Sequence, residues 1–410
     1  MSFNLREGWW SAGLGATTLL AGLASSSEAQ SPRDSIVRRQ VVPGVTLTQI
    51  VRAKGPWRVN VLALDLRRPE IGLRHVRAHD SLRTRERPTE MFKRLTAAGT
   101  DVIAAVNADF FDLTSGENEN NQVVDGEWWK GVKVTDSPFD TFRNAHAQFA
   151  LDSLRRPAID RYELHGEVRT TRGAIPLIAV NALPIGPEGA ALYTWRFGPT
   201  TPRDTVRPTA EAPLSPAGHR ADTVLYVRRG SRGGGGGGAI PAMGAALAGY
   251  GPRAREVEAI SEGETLKVVL RAVGRLTPPR RAAPLALIVG GWPRILRDGV
   301  NIAAGAAAEE GTISRNAEMR HPRTGIGFSR DRSTLYLVSV DGRSTASVGM
   351  TLVEFADLCR ELGAWQALNF DGGGSTTMVV QGKVVNVPSD PTGERPVGNS
   401  LLVVRAGVPR

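Results

Sequence analysis

The chain has 410 residues, of which 41% are hydrophobic, and it carries a formal net charge of +10. This length and composition predict a globular protein with a substantial core and argue against a disordered chain. The charge favours attraction to anionic glycans, phosphorylated polymers or a membrane surface over nucleic-acid binding, because the basic clusters lack interleaved aromatic residues and match no nucleic-acid motif.

The N-terminus has the pattern of an export signal. Arg6 precedes an apolar, small-residue run from Trp9 to Ala24, and Ser27-Glu28-Ala29 follows as a small-x-small cleavage pattern. Glycine and threonine interrupt this run, which is shorter than the roughly 20 apolar residues that span a bilayer. We therefore predict a signal peptide over residues 1–29, cleavage after Ala29, and a periplasmic or extracellular protein without a transmembrane anchor.

The first half of the mature chain is predicted to be rich in β-strands. A loose polar segment at 30–40 is followed by strands at 41–51 and 57–66, a helix at 88–98 and a buried strand at 101–106. This last strand leads into a polar cluster around Asn107, Asp109 and Asp112.

The middle of the chain is predicted to be rich in loops and β-strands. Residues 116–122 form an oxygen-rich segment that we expect to be a solvated loop, although a divalent cation such as Ca²⁺ or Mg²⁺ is conceivable there. From about 150 to 285 Pro and Gly are frequent, with short strands between turns and strand character resuming over 257–273. The polyglycine run at 232–238 lacks the ending of a phosphate-binding P-loop and is predicted to be a flexible linker.

The last hundred residues contain the clearest local patterns. A buried strand at 335–340 precedes a helix that starts with a Thr351–Glu354 capping box and ends near Gly363. Cys359, the only cysteine, falls on the apolar face of this helix and is predicted to be core. A strand at 365–370 and a hairpin at 378–387 follow. Residues 41–410 are therefore predicted to form one α+β domain dominated by β-sheet, with few helices.

A glycine-rich loop follows the strand at 365–370 and is the strongest candidate for a ligand site. Three glycines expose backbone N–H groups that can surround an anion, and polar side chains flank them. The polar residues and glycines are Asn369, Asp371, Gly372, Gly373, Gly374, Ser375 and Thr376. A strand follows the glycines, whereas a dinucleotide-binding site requires a helix there.

Four sequence blocks carry a resemblance to a known family: residues 107–111, 321–327, 340–343 and 367–375. In content, order and spacing they resemble the phosphodiester glycosidase family, which includes the mannose 6-phosphate uncovering enzyme and exopolysaccharide-associated bacterial proteins. The similarity covers roughly residues 41–404 and is densest after residue 286. The chain departs from the family pattern in its polyglycine run and in Asp109, where a small residue is expected.

This resemblance implies hydrolysis of a sugar-1-phosphodiester to free sugar and a phosphomonoester, in a single cleft. Asp371 and Asp341 are the catalytic candidates, because carboxylates stabilise an oxocarbenium-like transition state and transfer protons. Arg323 and Arg343 offer planar forks for the phosphate. The other substrate- or phosphate-binding candidates are Asn107, Thr324, Asn369, Gly372, Gly373, Gly374, Ser375 and Thr376.

Two other functions fit the same sequence. The pocket can belong to a non-catalytic exported protein that binds anionic polysaccharide without releasing sugar. It can also belong to a metal-dependent phosphodiesterase that cuts the P–O bond, with the acidic region 109–121 as its metal site; EDTA would abolish that activity.

Overall fold

Two open β-sheets and a closed β-barrel make up most of the architecture. The computed structural model describes residues 34–137, 140–220, 223–230, 233–276, 284–312 and 318–405, and the predicted signal peptide lies outside these ranges. In chain order the strands are β1 (Ser35–Val42), β2 (Val45–Arg52), β3 (Trp57–Asp65), β4 (Ile71–Arg77), β5 (Asp101–Asn107), β6 (Gln122–Val124), β7 (Glu127–Val132), β8 (Ala147–Asp152), β9 (Pro157–Thr170), β10 (Gly173–Val180), β11 (Gly189–Thr194), β12 (Thr209–Arg220), β13 (Thr223–Arg228), β14 (Ala245–Tyr250), β15 (Thr265–Gly274), β16 (Leu285–Gly290), β17 (Arg294–Arg297), β18 (Val300–Asn301), β19 (Arg323–Phe328), β20 (Thr334–Val340), β21 (Gln366–Asn369), β22 (Met378–Val380), β23 (Lys383–Val384) and β24 (Asn399–Arg405). The α-helices with described bounds are α1 (Pro88–Ala97), α2 (Arg253–Glu258), α3 (Ala306–Glu310) and α4 (Leu352–Glu361).

The sheets have distinct strand orders. The eight-stranded sheet runs β1-β2-β3-β20-β19-β21-β17-β18, and the five-stranded sheet runs β23-β22-β5-β24-β4. The barrel runs β10-β11-β14-β12-β13-β15-β9-β8-β16-β6-β7. The described residues all belong to one compact unit. The predicted α+β class, dominated by β-sheet with few helices, is therefore confirmed.

Apolar side chains from all three sheets share the largest core cluster. Leu62 of the eight-stranded sheet, Leu401 of the five-stranded sheet and Phe149 of the barrel are each fully buried in it. A second cluster fills the barrel around residues such as Leu192 and Leu247. The continuous core explains why the three sheets form one body, since apolar burial is the main favourable term in folding.

The helix α4 forms as the sequence predicts. The Thr351 hydroxyl accepts from the Glu354 N–H at 3.1 Å, and the Glu354 carboxylate accepts from the Thr351 N–H at 2.9 Å. These two bonds satisfy N–H groups that have no partner within the helix. Cys359 is buried on its inner face. In the described part of the chain, no helix is long and apolar enough to cross a membrane.

Two local predictions are wrong. Residues 35–40 are not loose, because β1 pairs antiparallel with β2 from Ser35 onward, although most of its side chains are exposed. Val257 lies in α2 rather than in a strand, and the strand β15 starts only at Thr265.

The polyglycine run is a packed loop rather than a flexible linker in its described part, residues 233–238. Gly233 exchanges two backbone hydrogen bonds with Glu211 of β12, at 2.9 and 3.2 Å. The N–H of Gly238 donates to the carboxylate of the buried Glu211 at 3.0 Å. Glycine suits this place, since a Cβ on Gly238 would lie 2.3 Å from that carboxylate.

The candidate site residues come to one place because three strands of the eight-stranded sheet are antiparallel neighbours. Arg323, which begins β19, pairs with Val340, which ends β20. Asn369, which ends β21, pairs with Gly325 of β19. The start of β19 and the ends of β20 and β21 therefore share one sheet edge. The chain then crosses to β22, which pairs with β5 of the five-stranded sheet.

Candidate active site

A cleft of about 180 Å³ opens at this sheet edge. Charged and polar groups form one part of its wall and apolar side chains the other. Among the described residues it is lined by Phe110, Trp292, Pro293, Thr312, His321, Arg323, Arg343, Leu352, Asn369, Asp371, Gly372 and Gly373. The structure thus brings Asp371, Arg323 and Arg343 together, as the sequence predicts.

Asp371 is the carboxylate in the described lining of the cleft, and it is half-buried. Its main chain is held on both sides: its N–H donates to the Ala108 carbonyl at 2.8 Å, and its carbonyl accepts from the Asn107 amide at 2.6 Å. Loss of water around the side chain raises the pKa of Asp371 to about 6, and this effect outweighs the opposing charges of Arg395 and Arg343. Asp371 is therefore mostly ionised at neutral pH, although its pKa lies close to that pH.

Arg323 is a buried cation in the cleft wall. Its Nε donates to the Met350 carbonyl at 2.9 Å and its Nη2 to the Met319 carbonyl at 3.0 Å. Burial lowers the pKa of Arg323 to about 10, so it stays charged at neutral pH. The bonds to Met350 and Met319 hold the plane of the guanidinium in place.

Arg343 is a second cation of the cleft, and it is exposed. It adopts a left-handed φ of 61°, and its guanidinium lies beside Gly373, where an added Cβ would be 2.9 Å from Nη2. Among the described residues its side chain has no hydrogen bond or ion pair within the usual distances. A cation of this kind is available for an anionic ligand.

At Gly373 the glycine loop differs from the predicted set of three N–H donors for an anion. The N–H of Gly373 donates to the Pro322 carbonyl at 2.9 Å and so is already used. Gly372 allows close packing, since a Cβ there would lie 2.6 Å from the same Pro322 oxygen. Gly374 does not line the cleft, and a Cβ on it would lie 2.3 Å from the Arg395 guanidinium.

Asn107 and Thr324 join the two sheets behind the cleft, and neither lines it. Besides holding Asp371, the Asn107 side chain accepts from the Thr324 hydroxyl at 2.8 Å and from the Thr377 N–H at 3.0 Å. Both residues are fully buried. The sequence predicts that these two side chains bind substrate. In the structure they bind protein groups instead, and Asn107 fixes the position of Asp371.

Of the remaining polar candidates, only Asn369 lines the cleft. Its amide donates to the Trp292 carbonyl at 2.7 Å, and its Oδ1 has no hydrogen-bond partner among the described residues. An unpartnered buried acceptor at a cleft wall can bind a ligand hydroxyl. Ser375 and Thr376 are buried outside the described lining.

Asp341 is not brought into the described lining of the cleft. Its carboxylate accepts from the Val387 N–H at 3.0 Å, and its N–H donates to the Arg58 carbonyl at 2.9 Å. Burial raises the pKa of Asp341 to about 6 despite these interactions. The structure thus gives Asp341 a contact that anchors the segment at 387, and it places the side chain outside the described lining of the cleft, where the sequence predicts a catalytic residue.

Residues 116–122 are buried or half-buried rather than solvated, which corrects the sequence prediction, whereas residues 112–114 before them are exposed. Asp109 accepts from the Asn120 amide at 2.7 Å and from the Gln122 amide at 2.8 Å. Gly290 makes room for it, because a Cβ there would lie 2.2 Å from Asp109 Oδ1. Burial raises the pKa of Asp109 to about 7. Within the ranges described, no three His, Cys, Asp or Glu side chains group as metal ligands would.

Two features of the site were not predicted from the sequence: an aromatic wall formed by Phe110 and Trp292, and Arg395. Phe110 and Trp292 meet edge to face with ring centroids 5.6 Å apart, and both line the cleft. Arg395 stands behind Asp371 and ion-pairs with Asp390 at 2.7 Å. Phe110 lies within the block 107–111 that carries the family resemblance, and Arg395 lies within the wider similarity that extends to residue 404; these were the available signals for them.

Comparison with known proteins finds a family similar to the C-terminal part of the chain. The family model for phosphodiester glycosidase matches residues 223–404, somewhat under half of the chain. N-acetylglucosamine-1-phosphodiester alpha-N-acetylglucosaminidase of Bos taurus is 32% identical over 114 residues, which is 26% of this chain and 21% of that protein. The matched segments span only 14% to 21% of the lengths of the curated relatives.

Two solved structures share the fold over most of the chain. A hypothetical protein from Synechocystis superposes with a TM-score of 0.70 at 21% identity, covering 92% of this chain and 65% of its own. A putative exported protein from Burkholderia pseudomallei K96243 superposes with a TM-score of 0.63 at 25% identity, covering 85% of this chain and 74% of its own. Residues 223–404, which supply both cleft arginines and Asp371, therefore lie in the part of the chain that is similar to the phosphodiester glycosidase family.

Proposed function

We propose that this protein is an exported hydrolase that cleaves a sugar-1-phosphodiester to free sugar and a phosphomonoester. The observation that carries the proposal is the cleft itself, in which one carboxylate, Asp371, faces the same space as two guanidinium groups, Arg323 and Arg343. In a sugar-1-phosphodiester an anionic phosphate is bonded to an anomeric carbon. The arginines suit the phosphate, and the carboxylate suits the positive charge that develops at the anomeric carbon.

The arginines bind the phosphate and stabilise it as it leaves. Arg323 is buried and oriented by two carbonyls, which makes it a preorganised donor. Arg343 is exposed and adds a second charge from the other side of Gly373. Negative charge grows on the phosphate as the bond to the sugar breaks, and the two cations favour that state. A phosphomonoester has a second pKa of about 6, so it departs without a strong general acid.

Asp371 stabilises the positive charge that develops on the sugar ring. Its pKa of about 6 leaves it negatively charged at neutral pH, and its half-buried position strengthens its electrostatic effect. The apolar wall of Phe110, Trp292 and Leu352 gives the sugar a surface to pack against and limits water at the reacting bond. The Asn369 Oδ1 at the wall accepts from a sugar hydroxyl.

The biological substrate we propose is a phosphorylated glycan of an exopolysaccharide or of the cell envelope. The net charge of +10 attracts such polyanions. The Arg6 to Ala29 signal pattern supports export, and the structural relative from Burkholderia pseudomallei is described as a putative exported protein. N-terminal sequencing of protein recovered outside the cytoplasm should begin at Gln30, and an intact Met1 would contradict export.

The test is incubation of the purified protein with a panel of sugar-1-phosphodiesters, beginning with an N-acetylglucosamine-1-phosphodiester, in water enriched in heavy oxygen. We expect free sugar with the label on the sugar, because the C–O bond breaks. A label on the phosphate instead would indicate a phosphodiesterase, and loss of activity in EDTA would add a metal requirement. Binding without release of sugar would indicate a polysaccharide-binding protein and overturn the proposal.

A further inference from the structure

A buried histidine and a buried aspartate stand behind the aromatic wall of the cleft and have no role in the mechanism described so far. His146 Nε2 lies 3.0 Å from each carboxylate oxygen of Asp140. The two side chains are almost completely covered, 0% and 2% exposed. A carboxylate accepts hydrogen bonds, so His146 Nε2 carries the hydrogen and donates it to Asp140. The pair therefore fixes the imidazole ring in place.

The imidazole of His146 stacks on the indole of Trp292. The ring centroids are 4.8 Å apart and the planes differ by only 3°. Trp292 in turn meets Phe110 edge to face, at 5.6 Å and 76°. Trp292 is buried and Phe110 is half-buried, and both line the cleft. The four side chains thus form one column, which runs from the buried carboxylate of Asp140 to the surface of the cleft.

Ring contacts, rather than hydrogen bonds, hold the indole of Trp292. Its Nε1 is buried and has no hydrogen-bond partner among the described residues. The main chain of Trp292 is fixed, because its N–H donates to the Asn369 carbonyl at 2.8 Å and its carbonyl accepts from the Asn369 amide at 2.7 Å. These bonds place the backbone but do not restrain the side chain. The stacked ring of His146 restrains the plane of the indole.

The segment that carries the pair also supports the neighbouring part of the cleft. The N–H and the hydroxyl of Thr141 donate to the Gly311 carbonyl at 2.6 and 2.8 Å. The next residue, Thr312, lines the cleft. The Asn144 amide donates to the Glu310 carbonyl at 2.6 Å. The same segment therefore supports the cleft through the main chain as well as through a ring stack.

We propose that His146 and Asp140 are positioning residues that hold Trp292 and Phe110 in place as the binding face for a pyranose ring. The part of this inference that concerns the sugar rests on the function proposed above. Both side chains are buried behind the wall, so they act through Trp292 and do not touch substrate. The apolar C–H face of a pyranose packs on aromatic rings, and rings that are already fixed lose less freedom when the sugar binds.

Fluorine NMR of the protein labelled with fluorotryptophan tests the positioning without any need for activity. The signal of Trp292 is assigned by its loss in Trp292→Phe. The unchanged protein is compared with His146→Ala, Asp140→Ala and Asp140→Asn. Tyr250→Phe is the control, because it removes a buried hydrogen bond of 2.8 Å between Tyr193 and Tyr250 in the barrel, and neither tyrosine lines the cleft.

We expect the Trp292 signal to broaden or split in His146→Ala and Asp140→Ala, because the indole then adopts more than one orientation. Asparagine keeps an acceptor oxygen for His146 Nε2, so the signal should stay sharp in Asp140→Asn, as it should in Tyr250→Phe. A single sharp Trp292 signal in a folded His146→Ala protein would overturn the positioning role. A sharp signal in Asp140→Ala would overturn the part assigned to Asp140.

Binding measurements separate the sugar side of the cleft from the phosphate side. For the sugar-1-phosphodiesters that are cleaved, KM should rise about tenfold in His146→Ala while kcat stays within about threefold, because the lost contact acts in the ground state and the transition state alike. The dissociation constant of inorganic phosphate should stay within about twofold, since Arg323 and Arg343 are unchanged. Equal weakening of phosphate binding, or an unchanged KM, would overturn the role in sugar binding.

The outcome separates this inference from the proposed function. If the unchanged protein releases no sugar, the proposed function fails, yet the fluorine spectra still decide whether His146 and Asp140 hold Trp292. If the single variants do not fold, the double variant Asp140→Leu with His146→Leu replaces both partners and leaves no unpaired buried charge. A single sharp Trp292 signal in that protein would overturn the inference in the same way.

Discussion

Replacing Asp371 with asparagine should lower activity and raise stability at the same time. Asn keeps the shape of the side chain but removes the negative charge, so kcat should fall on the order of a hundredfold or more, the scale for one key electrostatic group. KM should stay nearly level, because the charge acts mainly in the transition state.

The stability gain follows from the raised pKa of Asp371. Its value is about 6 in the folded protein against an ordinary 3.8. Each pKa unit corresponds to about 1.4 kcal/mol, so ionised Asp371 lowers the free energy of unfolding by about 3 kcal/mol. The penalty is fully present above the folded pKa and disappears below the unfolded one. Asp371→Asn should therefore be more stable than the unchanged protein at about pH 8, and the gain should shrink as the pH falls from 6 towards 4.

Steady-state kinetics and urea unfolding at several pH values measure both effects. Asp331→Asn is a control of opposite sign, because hydrogen bonds from Ser329 and Ser333 in the exposed β19–β20 turn lower the pKa of Asp331 to about 2, so that its replacement should not stabilise the protein at pH 8. Unchanged turnover in Asp371→Asn would show that Asp371 is merely a turn residue. A stability difference that does not vary with pH would show that its charge is not penalised by burial.

Three further changes test other parts of the site. Arg343→Ala should raise KM for a phosphodiester about tenfold, since a phosphate contact is lost, with the protein's urea midpoint unchanged. Asn107→Ala should lower the free energy of unfolding by about 3 kcal/mol in urea titrations, because buried donors on two sheets lose their acceptor. Gly290→Ala should lower it by about 1–3 kcal/mol, because the new methyl group would overlap Asp109, and an unaffected melting temperature would contradict this packing.

Elements with strong local patterns could be predicted from the sequence. The helix α4 carries its capping box and apolar face within ten residues, and the observed helix matches both. The strand before Asp371 and the hairpin strand β22 after the glycines were also predictable, because apolar runs and glycine turns mark them. The strand β1 could not be predicted from the sequence, because its side chains are mostly exposed and the strand is held by its backbone pairing with β2.

The buried surroundings of Asp109 illustrate why the remaining contacts could not be predicted from the sequence. Its partners Asn120 and Gln122 lie on an oxygen-rich segment whose composition is typical of a solvated loop or a cation site. Gly290, which admits the Asp109 side chain, is far away in the sequence. Such contacts form only when segments that are distant in the sequence pack together, and no local sequence pattern shows which segments will do so.

The sequence by itself determined that Asp371 and Asp341 both follow buried strands and that both belong to blocks shared with one family. Only the tertiary structure shows that Asp371 lines the described cleft and that Asp341 does not. The two strands end at the same sheet edge, so the position of each aspartate relative to its strand does not distinguish the two carboxylates. The loop after each strand turns differently: Asn107 and the glycines hold Asp371 at the cleft, while Asp341 binds the main chain of Val387. Side-chain direction beyond a strand end is set by such distant hydrogen bonds, and strand periodicity does not encode it.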